Sequence, residues 1–130
     1  MREILFRGKS IYDGKWLDGD LYHRNEEVLI TNFYEGFNIA VDPSTVCQFA
    51  GMLDKTGKRI FEGDVLKDDW GKVYEVFFNA RNCSFMVKLE HATNEWETGN
   101  YRLGEDWSDT IRIIGNIHDN PEFLNGGEDA

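Results

Sequence analysis

Gly51–Gly71 reads GMLDKTGKRIFEGDVLKDDWG, with carboxylates and bases crowded around glycines. Asp54-Lys55-Thr56-Gly57 has the form of a type I turn with glycine in the left-handed position. Arg59-Ile60-Phe61 follows, then a Glu62-Gly63-Asp64 step, the short apolar run Val65-Leu66, and a second turn at Asp68-Asp69-Trp70-Gly71. One reading makes Glu62, Asp64, Asp68 and Asp69 a divalent-metal site of a hydrolase, because hard cations take several carboxylate oxygens. The other makes Glu-Gly-Asp a tight corner in which Asp64 caps backbone N–H groups and Val65 opens a strand. The flanking residues obey turn chemistry at every position, which favours the corner. Gly57, Gly63 and Asp64 are then structural turn residues. A glycine–aspartate step, a short strand, a glycine turn and two longer strands is the pattern of a small five-stranded SH3-like barrel.

The strands on either side fit that pattern. Lys72–Phe78 (KVYEVFF) is β-branched and aromatic, and Ser84–Leu89 (SFMVKL) alternates in period two. Asn79–Cys83 between them has the length and composition of a hairpin loop. Upstream, Ile4 and Phe6, then Ile11 and Tyr12, bracket a turn at Arg7–Ser10, and Asp18-Gly19-Asp20 reads as another turn. Glu27–Thr31 and Phe37–Val41 are strand-like, and Pro43-Ser44 closes this first part. Downstream, His91–Asp109 is a polar, aromatic excursion with one short strand at Tyr101–Leu103. Thr110–Ile114 is a last strand, and Asn120-Pro121 starts a short helical turn. No internal repeat is evident.

The expected architecture is therefore mainly β with few short helical turns. An SH3-like barrel covers about 46–118, an N-terminal β-subdomain covers 1–45, and 125–130 is a flexible acidic tail. At 130 residues with 41% hydrophobic content the chain suits one domain over 1–124. The N-terminal stretch lacks an apolar core of signal-peptide length. Cys47 and Cys83 show no Cys-x-x-Cys spacing and read as reduced thiols, so a cytoplasmic setting is expected.

Charge narrows the function classes. The chain carries a formal net charge of −10. From Glu105 to the end, seven acids face only Arg112. Such a surplus repels phosphate and removes the main driving term for sequence-independent nucleic-acid binding. An acidic mimic of nucleic acid, presenting Glu105–Glu122 to a host protein, is an alternative use of the same charge.

Other chemistry finds little support. Arg7-Gly8-Lys9-Ser10 resembles the end of a phosphate loop, but Glu3 stands where that loop needs a glycine. Lys58 occupies the fifth position of a would-be calcium loop at Asp54. His23, His91 and His118 lack zinc spacing, and no nucleophile elbow is present. No catalytic constellation, metal or cofactor is indicated. The aromatics Trp96, Tyr101 and Trp107 stand in the polar excursion, where such side chains serve either protein interfaces or a lid over the core.

Three blocks together carry a family resemblance. Gln48–Val65 (QFAGMLDKTGKRIFEGDV) is similar to the signature of the YopX family of phage and prophage proteins. Arg2–Arg7 (REILFR) and Ile114–Glu122 (IGNIHDNPE) resemble that family's two ends. Ala50 departs from the family, which usually carries a larger or hydroxyl residue before the glycine. The resemblance implies a small, mostly β, phage-associated protein and supplies no catalytic residues. The expected role is a non-enzymatic accessory protein that binds itself, a host protein or a phage protein in the bacterial cytoplasm.

Duplex DNA is accordingly expected to show no electrophoretic mobility shift with the purified protein, even at low salt. A low-salt shift that disappears when Lys58 and Arg59 become alanine would instead make the chain a nucleic-acid binder.

Overall fold

The computed structural model describes residues 3–90, 100–104 and 107–124. The fold is mainly β, with antiparallel strands in two sheets and two short 3-10 turns among the described residues. The chain divides into two units, Met1–Gly51 and Met52–Ala130.

In the first unit, β1 (Phe6–Lys9), β2 (Trp16–Arg24), β3 (Glu27–Asn32) and β4 (Phe37–Ala40) form a meander, and β5 (Cys47–Leu53) adds to the free side of β1. With β6 (Arg59–Phe61) beyond β5, the strand order of this sheet is β4-β3-β2-β1-β5-β6. The β-branched run in β3 supplies much of the core, with Leu29 and Ile30 buried beside Ala40, Val41, Cys47 and Phe49. Beyond β1, a bridge between Ser10 and Val41 brings the start of the meander against its end. Ile11 N–H donates to Ala40 O at 3.1 Å and Asp42 N–H to Lys9 O at 2.8 Å. The meander therefore curls back on itself without closing. A 3-10 turn at Pro43–Thr45 leads into β5, capped where the Asp42 carboxylate accepts from Ser44 N–H.

The expected turns at Arg7–Ser10 and Asp18–Asp20 are strand instead, since β1 runs Phe6–Lys9 through most of the first. Ile11 and Tyr12 lie in the β1–β2 turn rather than in a strand. Asp18-Gly19-Asp20 is the middle of the nine-residue β2, not a turn. Gly19 is there for proximity: a Cβ built on it would clash with the backbone oxygen of Thr31 on β3. Glycine in a strand interior often marks such a close approach.

In the second unit, the end of β5 turns at 54–58 into β6 (Arg59–Phe61). β7 (Asp64–Asp68), β8 (Val73–Asn79), β9 (Ser84–Glu90), β10 (Asn100–Arg102) and β11 (Ile111–Asn116) form a five-stranded sheet of order β10-β9-β8-β7-β11. The long β8–β9 hairpin runs in register from Val73↔Glu90 to Asn79↔Ser84. Its alternation puts Tyr74, Val76, Val87 and Leu89 in the core, where Leu66 of β7 and Ile111 of β11 are fully enclosed. A 3-10 turn at Pro121–Leu124 follows, as Asn120-Pro121 led one to expect.

Among the described residues no sheet closes on itself, so the closure of the SH3-like barrel expected over about 46–118 is not observed. The edge of β11 facing away from β7 meets loop groups rather than a sheet strand. Lys55 N–H donates to Ile111 O at 2.9 Å, and Ile113 N–H donates to the Asp54 carboxylate at 3.0 Å. A side chain and a turn cover this edge where a barrel would need a continuous ladder.

Gly19→Ala should destabilise the protein by about 1–3 kcal/mol, because the clash is with backbone and forces β2 and β3 apart. A lowered denaturation midpoint with unchanged denaturant dependence would verify it; an unchanged midpoint would show that the strand pair yields freely.

Candidate functional site

Three carboxylates of the Gly51–Gly71 stretch, Asp54, Asp64 and Asp68, are turn-building groups. Asp64 is 1% exposed, and its Oδ2 accepts from Phe61 N–H at 2.7 Å. Gly63 makes this corner possible with φ +88, a conformation that side chains other than glycine's strongly disfavour. The corner is also tied into the sheet on both sides. Gly63 N–H donates to Val76 O at 2.8 Å, and Ile117 N–H donates to Gly63 O at 2.9 Å.

Two flanking turns use one design twice. In Asp54-Lys55-Thr56-Gly57-Lys58 the Asp54 Oδ1 accepts from the N–H groups of Thr56 and Lys58 and from the Thr56 hydroxyl. In Asp68-Asp69-Trp70-Gly71-Lys72 the Asp68 Oδ1 accepts from the N–H groups of Trp70 and Lys72. In both, the aspartate N–H donates to the lysine carbonyl and the glycine N–H donates to the aspartate carbonyl. Gly57 has φ +88 and Gly71 φ +89. This Asp-x-x-Gly-Lys repeat is an internal repeat that the sequence shows at 54 and 68 but that is too short to stand out by eye.

The second oxygens differ. Asp54 Oδ2 accepts from Ile113 N–H on β11, and Asp68 Oδ2 accepts from the Tyr74 hydroxyl at 3.0 Å. Burial works to raise the Asp54 pKa, but the hydrogen bonds from Ile113, Thr56 and Lys58 outweigh it and hold the carboxyl below its ordinary value. Burial, the hydrogen bond to Asp68 and that carboxylate's charge push the Tyr74 phenol far up. Among the described residues, no group of three or more metal-ligating side chains could hold an ion. Asp69 instead pairs with Lys55 Nζ at 2.7 Å.

The aromatic candidates separate. Trp96 lies outside the described residues. Tyr101 and Trp107 are half-buried and converge on Tyr74, with ring centroids 6.4 and 5.2 Å from it. The two lie 6.2 Å from one another, so these three rings make one cluster.

The rings that face solvent are elsewhere, and sequence reasoning passed over them. Phe33 is 91% exposed and Tyr34 98%, at the tip of the β3–β4 hairpin. Their centroids stand 6.1 Å apart, edge to face. The turn beneath them is pinned: Asn32 Oδ1 accepts from Glu35 N–H, Asn32 O accepts from Gly36 N–H, and Asn32 Nδ2 donates to Asp18 O. Trp70, at the tip of the β7–β8 turn, is 74% exposed. The signal was available: aromatics between Asn32 and Gly36 occupy positions that turn chemistry sends outward.

A β protein of two small units, with buried carboxylates holding its turns and aromatics at its hairpin tips, is the class this geometry defines. The chain belongs to the YopX family: the family model, described as YopX protein, matches residues 5–125. Protein EF1440 from Enterococcus faecalis has a similar fold in its crystal structure, with 20% sequence identity and a TM-score of 0.55. That match covers 95% of this chain and 99% of the other. No curated protein sequence matches the chain.

The depressed Asp54 pKa has a definite consequence for acid stability. Its stabilising effect is fully present above the unfolded value near 3.8 and is lost as pH falls through the lower folded value. Asp54→Asn should therefore flatten the acid limb of a stability–pH profile below about pH 4. At neutral pH, Asp64→Ala should cost about 1 kcal/mol or more through loss of its bond to Phe61. An Asp64→Ala protein with an unchanged melting midpoint but lost Mg²⁺ or Mn²⁺ affinity would restore the metal reading.

Proposed function

We propose that this YopX family member is a phage- or prophage-derived accessory protein that acts by binding other protein in the cytoplasm of its bacterial host, without catalysis of its own. The observation that carries this reading is the Phe33–Tyr34 pair. Two large rings almost wholly in water, on a turn fixed by three hydrogen bonds, resemble the pre-organised aromatic anchors that dominate protein interfaces. Tyr and Phe deliver much contact area for few rotatable bonds, so little entropy is lost when they dock.

The interface expected at Trp96, Tyr101 and Trp107 carries less of the reading. Tyr101 and Trp107 already place ring surface on Tyr74, and truncating them would disturb that cluster as well as any contact. The burial of Asp64 and Asp68 among turn donors favours binding over metal-dependent hydrolysis. Buried Cys47 and exposed Cys83 are not joined by a disulfide, which supports a reducing compartment. No helix among the described residues is long and apolar enough to cross a membrane.

The double variant Phe33→Ala, Tyr34→Ala should keep its stability within about 0.5 kcal/mol, as exposed positions allow. It should lose the protein that the wild type captures from host lysate. Capture of the same proteins by both forms would remove the tip from the interface.

A further inference from the structure

β4 (Phe37–Ala40) is the last strand on one side of its sheet, and no described strand lies beyond it. Its pairing with β3 fixes which backbone groups look outward. Val41 N–H donates to Val28 O, so in the shared register Phe37 and Ile39 bond to β3 while Asn38 and Ala40 turn their groups away. The Ala40 carbonyl agrees with this, since it accepts from Ile11 N–H on the outer side at 3.1 Å. Residues 9–11 begin a further strand there, with the Ser10–Val41 bridge and Asp42 N–H on Lys9 O. The chain then departs at a turn in which Gly14 N–H donates to Ser10 O. Past that point Asn38 N–H, Asn38 O and Ala40 N–H meet no hydrogen-bond partner among the described residues.

Natural proteins blunt such edges with charges, proline or a bulge. Phe37-Asn38-Ile39-Ala40 has no charge and no proline, and its register with β3 is unbroken. The β11 edge differs, because there Asp54 and Lys55 meet the outer groups. Both ends of the β4 edge carry apolar side chains in water. Ile11, 54% exposed, and Tyr12, 78% exposed, stand at the Ala40 end, and Phe33 and Tyr34 stand at the Phe37 end.

We infer that this edge takes an extended segment of a different protein, laid antiparallel to β4 along the line that residues 9–11 abandon. It deepens the reading of Phe33 and Tyr34 as protein-binding anchors, on which its flanks rest, and names how the bound segment runs. Backbone chemistry selects the occupant: Asn38 presents a donor and an acceptor side by side, and another extended backbone answers both. A phosphodiester chain offers acceptors alone and would leave the Asn38 carbonyl unanswered. A second copy fits badly. Its own β4, centred on Asn38, would carry its hairpin tip across residues 9–11, which already hold the edge beyond Ala40. A linear segment has no such tip to place. Three backbone groups hold weakly by themselves, so the segment needs apolar side chains against Ile11 and Tyr12 at one end and Phe33 and Tyr34 at the other.

Short random peptides, selected from a library on the immobilised full chain, supply the probe. Selected peptides should be apolar at alternate positions. They should bind the wild type and Asn38→Ala alike, and Asn38→Pro about tenfold more weakly or worse. Proline removes the outward N–H and leaves the β3 ladder intact. The double variant Phe33→Ala, Tyr34→Ala should weaken the same peptides. Hydrogen exchange on the wild type reads the contact without any substitution, since the Asn38 and Ala40 amides should slow when peptide binds. Thermal melting verifies that each variant folds. Failure to select any peptide, equal binding by Asn38→Pro, or unchanged exchange at Asn38 and Ala40 would overturn the inference. Peptides that need the rings yet ignore Asn38→Pro would overturn strand addition alone and leave Phe33 and Tyr34 as anchors. Peptides that need the Asn38 N–H yet ignore the loss of both rings would support strand addition and overturn the anchor reading. Concentration-dependent sedimentation of the free chain, abolished by Asn38→Pro, would assign the edge to a second copy and overturn the choice of partner.

Discussion

The second unit depends on a single carboxylate with two attachments. Asp54 Oδ1 builds its own turn, and Oδ2 reaches Ile113, 59 residues on, where β11 carries its bulge between Ile113 and Gly115. A bulge interrupts a ladder and leaves backbone groups in search of partners. Here the Ile113 N–H finds an ionised acceptor, and Lys55 N–H satisfies the adjacent Ile111 carbonyl. The turn thus covers an edge strand that would otherwise offer a template for pairing with another chain. Charged acceptors make the stronger hydrogen bonds, which explains why burial fails to neutralise Asp54.

The repeated turn explains why so many charges cluster in a stretch with no chemistry of its own. Each Asp-x-x-Gly-Lys unit buries its aspartate beneath the turn and places its middle residues at the outside. Asp54 and Asp68 are thereby drawn in, toward N–H donors, while Lys55, Asp69 and Trp70 remain in solvent. The same logic operates at Asn32–Gly36, where a side-chain amide organises the turn and two aromatic rings have nowhere to go but outward.

What the sequence determined by itself is local. Glycine positions fixed the turns at 57, 63 and 71, because positive φ excludes most other residues, and period-two alternation fixed β8 and β9. The corner role of Asp64 was the favoured of two readings in the sequence, and the bond from Phe61 N–H to its carboxylate is what the folded chain adds. The three signature blocks were legible as a YopX resemblance for the same reason: they are made of turns and short strands whose residues are constrained one by one.

Tertiary structure decided what lies between distant residues. Gly19 looked like a turn and is a strand residue, because only the position of Thr31 O across the sheet requires a missing side chain there. The strand pattern of 46–118 suits a barrel, yet no sheet among the described residues closes, and Asp54 and Lys55 rather than a strand ladder meet the outer edge of β11. Tyr101 and Trp107 carry the composition of an interface and pack on Tyr74, whereas Phe33, Tyr34 and Trp70 sit at turn tips and stand in water. Whether an aromatic ring is buried depends on which strands face it, and a linear sequence specifies that only through the summed packing of the whole sheet.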